Sequence, residues 1–343
     1  MYKVGKNSVI FENSYLTSSG TVGCKKEHEG PVGEFIDKCY DDLYAGCDSW
    51  EKSEQKMLND AIEIALAKEG ISEHSVDLFI GGDLNNQLAC TNYTLKNYSI
   101  PYFGVYAACS TLTESLLIGS MIIDSNYGNY ILCSASSHNS TSERQFRYPT
   151  EYGGQKPTSL TTTASGCGVA LISSIPSFIK ITCGTIGKVV DSSLVDAQDL
   201  GRAMAPACAE TLRNHLHDFA CNADDYDLIL TGDLSTYGVE SFKKMVKAYG
   251  ITLGDNYKDS GLMLYDIEKQ NVHAGGSGCG CVSLVTLGYV VKQMYENKLN
   301  KVLVIATGAL MNPIMVAQKE TIPAIAHAIV LERVKWWILL MRF

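Results

Sequence analysis

The chain has 343 residues, 46% of them hydrophobic, and a formal net charge of −9. This length can bury one large core or two, and it exceeds that of a typical single domain. The acidic balance and the lack of any Lys/Arg run argue against a nucleic-acid-binding protein. Twelve cysteines, with no apolar segment at the N-terminus, predict a reducing, non-secreted setting without a signal peptide.

Two predicted helices each precede a strand of nearly the same sequence. The first helix is predicted over 53–68, ending near Gly70, and the second over about 206–219. After them come Asp-Leu-Phe-Ile-Gly-Gly-Asp-Leu at 77–84 and Asp-Leu-Ile-Leu-Thr-Gly-Asp-Leu at 227–234. The apolar residues of the first helix follow the 3.6-residue period. They are Met57, Leu58, Ala61, Ile62, Ala65 and Leu66.

A second pair of strands, 129–135 and 300–306, extends the repeat. Each follows a turn of small residues and a helix; the turns are 107–110 and 275–281. The alternation of strands and helices predicts an α/β fold. We expect two duplicated βαβαβ-type halves, 1–180 and 181–333, in a layered α/β/α/β/α sandwich whose two turns meet at a pseudo-twofold. Two unrelated α/β domains are the alternative, and 334–343 form an atypical apolar tail.

Cys109 is the candidate nucleophile. It lies in the turn Ala-Ala-Cys-Ser, directly before a helix predicted over 111–124. Thr111 and Glu114 match the capping-box pattern, which predicts that the helix starts just beyond the thiol. A helix N-terminus lowers the pKa of a nearby thiol, so we expect a thiolate. A buried structural cysteine is the alternative.

Acyl transfer by a cysteine also needs a base and donors for the oxyanion. His138 follows the strand that returns from the Cys109 helix, and His273 precedes the glycine-rich turn that should face the thiol. Both are therefore candidate bases. His327 lies in an apolar strand near the C-terminus, where a hydrogen-bonded core histidine and a site histidine are equally compatible with the sequence.

The segment 142–156 combines cations with aromatic side chains. Arg144, Arg147 and Lys156 stand among Phe146, Tyr148 and Tyr152. Guanidinium groups pair with carboxylates and aromatic faces stack on rings, so the loop suits a planar anion. Packing at a subunit interface, where Arg and Tyr are also enriched, is the alternative.

Several strings resemble one family. GDLNNQ at 82–87, ACSTLTES at 108–115 and SSHNSTSERQFRYPTEYGGQKPT at 136–158 are similar to the stage V sporulation protein AD family of the thiolase-like superfamily. The resemblance implies a thiolase-like fold, a homodimer, and binding of dipicolinic acid alone or as its calcium chelate, with Ca²⁺ brought by the ligand. It also implies loading of that compound into the developing spore with other stage V sporulation A proteins, in peripheral association with the spore inner membrane.

The resemblance also places the site. Cys109 matches the nucleophile position of the superfamily, but the loops 232–238 and 275–281 lack the His and Asn that working enzymes carry there. We therefore expect a non-catalytic binding site with no cofactor and no metal; a Cys109-dependent acyltransferase or condensing enzyme is the alternative, and a scaffold for membrane partners a third. The expected ligand-binding residues are Asp83, Cys109, His138, Arg144, Arg147, Lys156 and Ser277.

Overall fold

The computed structural model describes residues 1–147 and 156–334. The strands are β1 Tyr2–Val4, β2 Ser8–Ile10, β3 Tyr15–Cys24, β4 Lys38–Tyr40, β5 Leu78–Asp83, β6 Tyr102–Gly104, β7 Tyr130–Ser137, β8 Thr162–Thr163, β9 Gly166–Ser173, β10 Ile179–Thr185, β11 Val190–Asp191, β12 Leu228–Thr231, β13 Tyr257–Asp259, β14 Gly276–Ser277, β15 Lys301–Ala309 and β16 Pro323–Arg333.

The helices are α1 Lys25–His28, α2 Trp50–Glu69, α3 Ala89–Leu95, α4 Thr111–Asp124, α5 Asn139–Phe146, α6 Leu200–Asp218, α7 Ser235–Ala248, α8 Ser260–Leu264, α9 Cys279–Ser283, α10 Val291–Tyr295 and α11 Pro313–Ala317. A π-helical segment, Leu284–Val290, joins α9 to α10. Short 3₁₀ turns lie at Gly33–Phe35, Glu73–Ser75, Asn86–Leu88 and Ala223–Asp225.

The strand order repeats between the two parts of the sheet. One part runs β6-β5-β7-β9-β3 and the other β13-β12-β15-β16-β10. In both, the first three strands are parallel and the last two pairings are antiparallel. A short antiparallel contact between β10 and β3 joins them. The boundaries 1–180 and 181–333 stay a prediction, and residues 335–343 of the expected tail lie outside the described residues.

Alternating side chains give each part of the sheet two buried faces. The predicted apolar face of α2 packs on one face of the part formed by β6-β5-β7-β9-β3. Helices α6 and α7 cover the outer face of the second part in the same way. The inner faces of both parts pack against α4 and the helix beginning at Cys279. The predicted α/β/α/β/α layering is therefore confirmed.

Two helices start earlier than predicted because a polar side chain fixes each start. Ser49 accepts a hydrogen bond from the backbone N–H of Lys52, so α2 begins at Trp50 and not at Ser53. Asp199 caps α6 in the same way, and the helix therefore runs from Leu200 through Pro206.

The internal repeat extends to matching aspartates. Asp77 Oδ2 accepts a hydrogen bond from Asn129 N at 2.7 Å, and Asp227 Oδ2 accepts one from Asn300 N at 2.6 Å. The aspartate before β5 therefore holds the start of the parallel strand β7, and the aspartate before β12 holds the start of β15 in the same way. Within 1–147 and 156–334, no helix is both long enough and apolar enough to cross a membrane.

Candidate functional site

The turn that carries Cys109 is held by its own side chains. Thr111 accepts a hydrogen bond from Ala107 N at 3.2 Å and donates one to Ala108 O at 2.6 Å. The predicted capping box is wrong: the side chain at the helix start makes no capping hydrogen bond, and Glu114 Oε2 is buried without a partner. The helix still begins at Thr111, as predicted, because the hydrogen bonds of the Thr111 hydroxyl to Ala107 and Ala108 hold the turn that precedes it.

The two small-residue turns meet, as predicted. Cys279 Sγ donates to Ala108 O at 3.0 Å, and Cys109 Sγ lies 4.0 Å from Ser277 Oγ. Ser110 adds a bridge to the second half, because its hydroxyl donates to Ala306 O at 2.9 Å. The thiol of Cys109 therefore lies between elements that are far apart in the chain.

Three residues around this meeting point have unfavourable backbone conformations. Ala108, Asp233 and Ser235 have φ values of 48°, 62° and 54°, in the left-handed region that non-glycine residues rarely adopt. Each such residue costs on the order of 1–3 kcal/mol, so the surrounding contacts must hold it. Asp259 supplies such contacts by accepting hydrogen bonds from the backbone N–H groups that follow Asp233. Strain of this kind is typical of functional sites.

The protonation state of Cys109 differs from the expectation. Burial raises the pKa of the thiol well above its ordinary value, and the neighbouring Asp233 raises it further. Ser277 and the backbone N–H of Gly278 oppose this shift but do not overcome it. The thiolate prediction was wrong because loss of water around the sulfur outweighs the helix N-terminus. Cys109 is a neutral thiol.

Asp233 is the site residue that the sequence analysis missed. Its carboxyl is fully buried, and burial, followed by the charge of Asp259, raises its pKa well above the ordinary value. Oδ1 accepts a hydrogen bond from Ser260 Oγ at 3.2 Å, while Oδ2 has no partner of ordinary geometry. The thiols of Cys109 and Cys281 are its other neighbours. The recurring Gly-Asp at the end of each repeated strand was the signal for it.

A small cavity opens beside the thiol. It measures about 40 Å³, and Arg147, Cys109 and Ser277 contribute its polar groups together with Ser142 and Thr163. Its remaining lining is Leu84, Tyr106, Ala108, Phe146, Leu200, Met204, Ala309 and Met311. A neighbouring cleft of about 300 Å³ shares Leu84, Tyr106, Phe146 and Met311 with it and adds the amides of Asn85, Asn86, Gln87, Gln145 and Asn312. The cavity and the cleft are therefore neighbours that share part of one wall.

The three predicted cations do not converge on this cavity. Arg147 lines it; its side chain is 7% exposed and pairs with Glu143, and Lys156 Nζ binds the same carboxylate at 2.9 Å. Burial raises the pKa of Glu143, but Arg147 and Lys156 more than offset this, and the net shift is downward. Arg144 instead pairs with Glu51 and lies over the Trp50 ring. Tyr148 and Tyr152 lie outside the described residues.

The side chains of His138 and Asp83 make hydrogen bonds that hold nearby backbone segments. His138 Nδ1 accepts a hydrogen bond from Ser140 N at 3.2 Å, and Nε2 bonds to Leu43 O at 2.7 Å. Asp83 accepts hydrogen bonds from Asn85 N and from both the backbone and the hydroxyl of Thr91. Neither lines the cavity beside Cys109. Of the expected ligand-binding set, the structure brings together Cys109, Arg147 and Ser277; the roles of all seven residues stay predictions.

The candidate bases also lie elsewhere. His273 is exposed, and His327 is a buried residue of β16 whose Nδ1 accepts a hydrogen bond from Gly187 N at 3.1 Å. Burial lowers the pKa of His327 to about 4. All seven histidines fall in the described ranges, and none lines the cavity. The arrangement therefore offers a cation, a neutral thiol and hydroxyls, a set suited to binding an anion.

One buried group has the composition of a metal site. The ligand atoms of Glu54, Asp83 and Cys90 lie within 4.8 Å of one another. Burial raises the pKa of both carboxyls, and Glu54 already accepts hydrogen bonds from Asn85 and Ser136. A raised carboxyl pKa weakens metal binding, because the carboxyl must lose its proton before it can serve as a ligand. The expectation of no metal site stays a prediction.

Comparisons with known proteins agree on family and fold. The sequence profile described as Stage V sporulation protein AD matches residues 5–332. Stage V sporulation protein AD of Bacillus subtilis (strain 168) is 46% identical over 334 residues, covering 97% of this chain and 98% of that protein. Among solved structures, 3-oxoacyl-[acyl-carrier-protein] synthase III from Aquifex aeolicus VF5 is 13% identical, covers 93% of this chain and 99% of its own, and has a TM-score of 0.57. A variant of OleA from Xanthomonas campestris is 13% identical, covers 94% and 97%, and has a TM-score of 0.62. At these identities the two structures establish the thiolase-like fold.

Proposed function

Because this chain belongs to the stage V sporulation protein AD family, we propose that it binds dipicolinic acid, free or as the calcium chelate, without chemical turnover. The ligand occupies the cavity beside Cys109 and the adjoining cleft. Binding serves the loading of dipicolinic acid into the developing spore, together with other stage V sporulation A proteins. The protein acts as a homodimer in peripheral association with the spore inner membrane. These last two statements rest on the family alone.

The buried Arg147 is the observation that carries the proposal. Its side chain is only 7% exposed, it lines the cavity, and its Nε has no hydrogen-bond partner. Glu143 already binds the Nη1 atom of this guanidinium, so Nε is the donor left over, and a buried donor without a partner is costly. A ligand carboxylate is an acceptor that would satisfy it. Leu84, Phe146 and Met311, which line both the cavity and the neighbouring cleft, provide apolar surface for a flat ring.

The size of the opening decides how a ligand would lie. The cavity of about 40 Å³ has room for only a few water molecules. A pyridine dicarboxylate is larger, so we expect its ring to occupy the cleft of about 300 Å³, with one carboxylate directed at Arg147. The second carboxylate then faces the amide side chains of the cleft, such as Asn86 and Gln145. Amide N–H groups donate to a carboxylate and leave room for Ca²⁺ held by the ligand itself.

Isothermal calorimetry with dipicolinate, with and without Ca²⁺, tests this proposal. Loss of a charged hydrogen bond should weaken binding by about 10- to 100-fold in Arg147→Gln. Arg213→Gln is the matched control, because Arg213 is 45% exposed and pairs with Glu210. Benzene-1,3-dicarboxylate has similarly placed carboxylates without the ring nitrogen and measures how much the nitrogen matters. No heat of binding with the wild-type protein, or unchanged affinity in a folded Arg147→Gln, would refute the proposal.

Acyl transfer by Cys109 is the second candidate function. Its support is that the thiol faces the Gly278 backbone N–H, which could stabilise developing negative charge. Against it, the pKa of Cys109 is raised by burial, and no imidazole lines the cavity. Intact-protein mass spectrometry after incubation with acyl-CoA distinguishes the two. An acyl adduct that maps to Cys109 and turns over would replace the binding proposal with an enzymatic one.

A further inference from the structure

One wall of the cleft is a loop that its neighbours hold in a single conformation. Residues 84–88 follow β5 and line the cleft of about 300 Å³; we call them the amide loop, because the middle three side chains are amides. Gln87 and Leu88 have φ values of 60° and 55°, in the left-handed region that non-glycine residues rarely adopt. Such a conformation persists only where surrounding contacts hold it, and it is typical of binding sites.

The side chain of Gln145, on α5, holds one side of the amide loop. Its Oε1 accepts a hydrogen bond from Asn86 N, and its Nε2 donates one to Leu84 O, both at 2.9 Å. A single side-chain amide therefore pairs with two backbone groups of the loop. Nε2 carries a second hydrogen, which leaves one donor for the cleft that Gln145 also lines.

Two further contacts hold the amide loop from other elements. Asn92, on α3, donates from Nδ2 to Gln87 O at 2.7 Å, and it is not among the residues that line the cleft. Asp83 Oδ1 accepts a hydrogen bond from Asn85 N at 2.8 Å. The side chain of Asn85 is buried, whereas Asn86 and Gln87 are exposed. The loop therefore presents two exposed amides on a backbone that is already fixed.

The same stretch of chain positions the guanidinium of the site. Gln145 and Phe146 end α5, and Arg147 follows directly. Gln145 lines the cleft, Arg147 lines the cavity, and Phe146 lines both. The rigid ring of an aromatic dicarboxylate holds its two carboxylates at a fixed separation. A site can use both of them only if its two sets of donors keep a matching separation.

We propose that Gln145 and Asn92 are positioning residues, which by holding the amide loop make the site selective for ligands with two carboxylates. The inference rests on the proposed function, because it takes Arg147 as the partner of the first carboxylate. Asn86 and Gln87 then donate to the second carboxylate from a loop that needs no reordering on binding. A ligand with one carboxylate, bound at Arg147, leaves these amides to water.

Calorimetry with dipicolinate and with pyridine-2-carboxylate, which lacks the second carboxylate, tests the inference. The measured quantity is the ratio of the two affinities. Asn92→Ala releases the loop at Gln87 without removing a group that lines the cleft, and Gln145→Met removes the contacts with Leu84 and Asn86. Loss of about one neutral hydrogen bond to the second carboxylate should lower the ratio about threefold to tenfold in each variant. The affinity for pyridine-2-carboxylate should not change.

Two other variants frame the result. Gln318→Met is the matched control, because the exposed side chain of Gln318 follows α11 and does not line the cleft. It should leave the ratio unchanged. Arg147→Gln should weaken the binding of both ligands, because both are expected to place a carboxylate at the guanidinium.

An unchanged ratio in folded Asn92→Ala and Gln145→Met overturns the inference and leaves dipicolinate binding standing. An equal loss for both ligands also overturns it, because the variants would then disturb the site as a whole. A lower ratio in Gln145→Met alone would make Gln145 a direct ligand contact and not a positioning residue. If Gln145→Met does not fold, the ratio in Asn92→Ala decides, since Asn92 is exposed on a helix. Failure of the wild type to bind dipicolinate refutes the proposed function, and this inference with it.

Discussion

His215 allows the link between burial and acid stability to be measured. It lies fully buried in α6, where Nδ1 bonds to Thr185 Oγ1 and Nε2 to Tyr226 OH, both at 2.8 Å. Burial, helped by Lys301, lowers its pKa to about 3 from the ordinary 6.5. Below pH 6.5 the His215 imidazole therefore binds a proton in the unfolded chain but not in the folded protein, and the free energy of unfolding falls as pH falls.

The magnitude follows from the two pKa values. Each pH unit between them changes the free energy of unfolding by about 1.36 kcal/mol, so about 2.7 kcal/mol is lost two units below 6.5. Above 6.5 the imidazole is neutral in both states and contributes no slope. Replacing it in His215→Gln should remove this part of the acid sensitivity, whatever the variant loses in hydrogen bonding, because that loss is the same at both pH values.

Urea unfolding of the wild type and His215→Gln at about pH 7 and about pH 4.5 gives the comparison. His217→Gln is the control, because His217 is on the same helix with a side chain 86% exposed. Between the two pH values, we expect the free energy of unfolding of the wild type and of His217→Gln to fall by about 2.7 kcal/mol more than that of His215→Gln. Equal losses in all three proteins would mean that His215 is protonated in the folded state, contrary to its burial.

Two further predictions concern the site and its surroundings. In Gly308→Ala, the new Cβ would lie 2.0 Å from Ala107 O. We therefore expect the free energy of unfolding to fall by at least about 2 kcal/mol and dipicolinate binding to weaken. Gly254→Ala is the control and should leave the stability unchanged, because the nearest atom to its new Cβ is a side-chain oxygen at 3.1 Å. Equal melting temperatures for the Gly308→Ala and Gly254→Ala variants would contradict the prediction. Burial raises the pKa of Glu54, so Glu54→Gln should become progressively more stable relative to the wild type as pH rises above about 4.5. Glu63→Gln, on the exposed side of the same helix, should show no such trend in the same unfolding experiment.

The acidic residues show where sequence reasoning stops. Asp77 and Asp227, and likewise Asp83 and Asp233, occupy matching places in the repeat. Asp77 and Asp227 play the same part in both halves. Asp83 accepts hydrogen bonds from backbone and hydroxyl groups of its own half, whereas Asp233 accepts one from Ser260 and lies near a thiol of the other half. A repeat in the sequence identifies equivalent positions, but the neighbours across the interface between halves decide what each position does.

The cations of the segment 142–156 are a second case. Their types predicted an anion-binding loop, yet Arg144 pairs with Glu51 and only Arg147 reaches the cavity. Arg144 lies in α5 and Arg147 directly after it, and their carboxylate partners come from different helices, Glu51 from α2 and Glu143 from α5. Composition reports which charges are available, and it cannot report which of them are already paired.

The sequence by itself determined the layering, the duplicated strands, the helix after Cys109 and the family, because apolar periodicity and long specific strings are local properties of the chain. The tertiary structure alone decided the state of the site. Cys109 meets Ser277 across 168 residues of sequence, and Asp233 approaches from a third segment. Desolvation and the field of a neighbouring acid depend on these distant contacts, and they convert an expected thiolate into a neutral thiol.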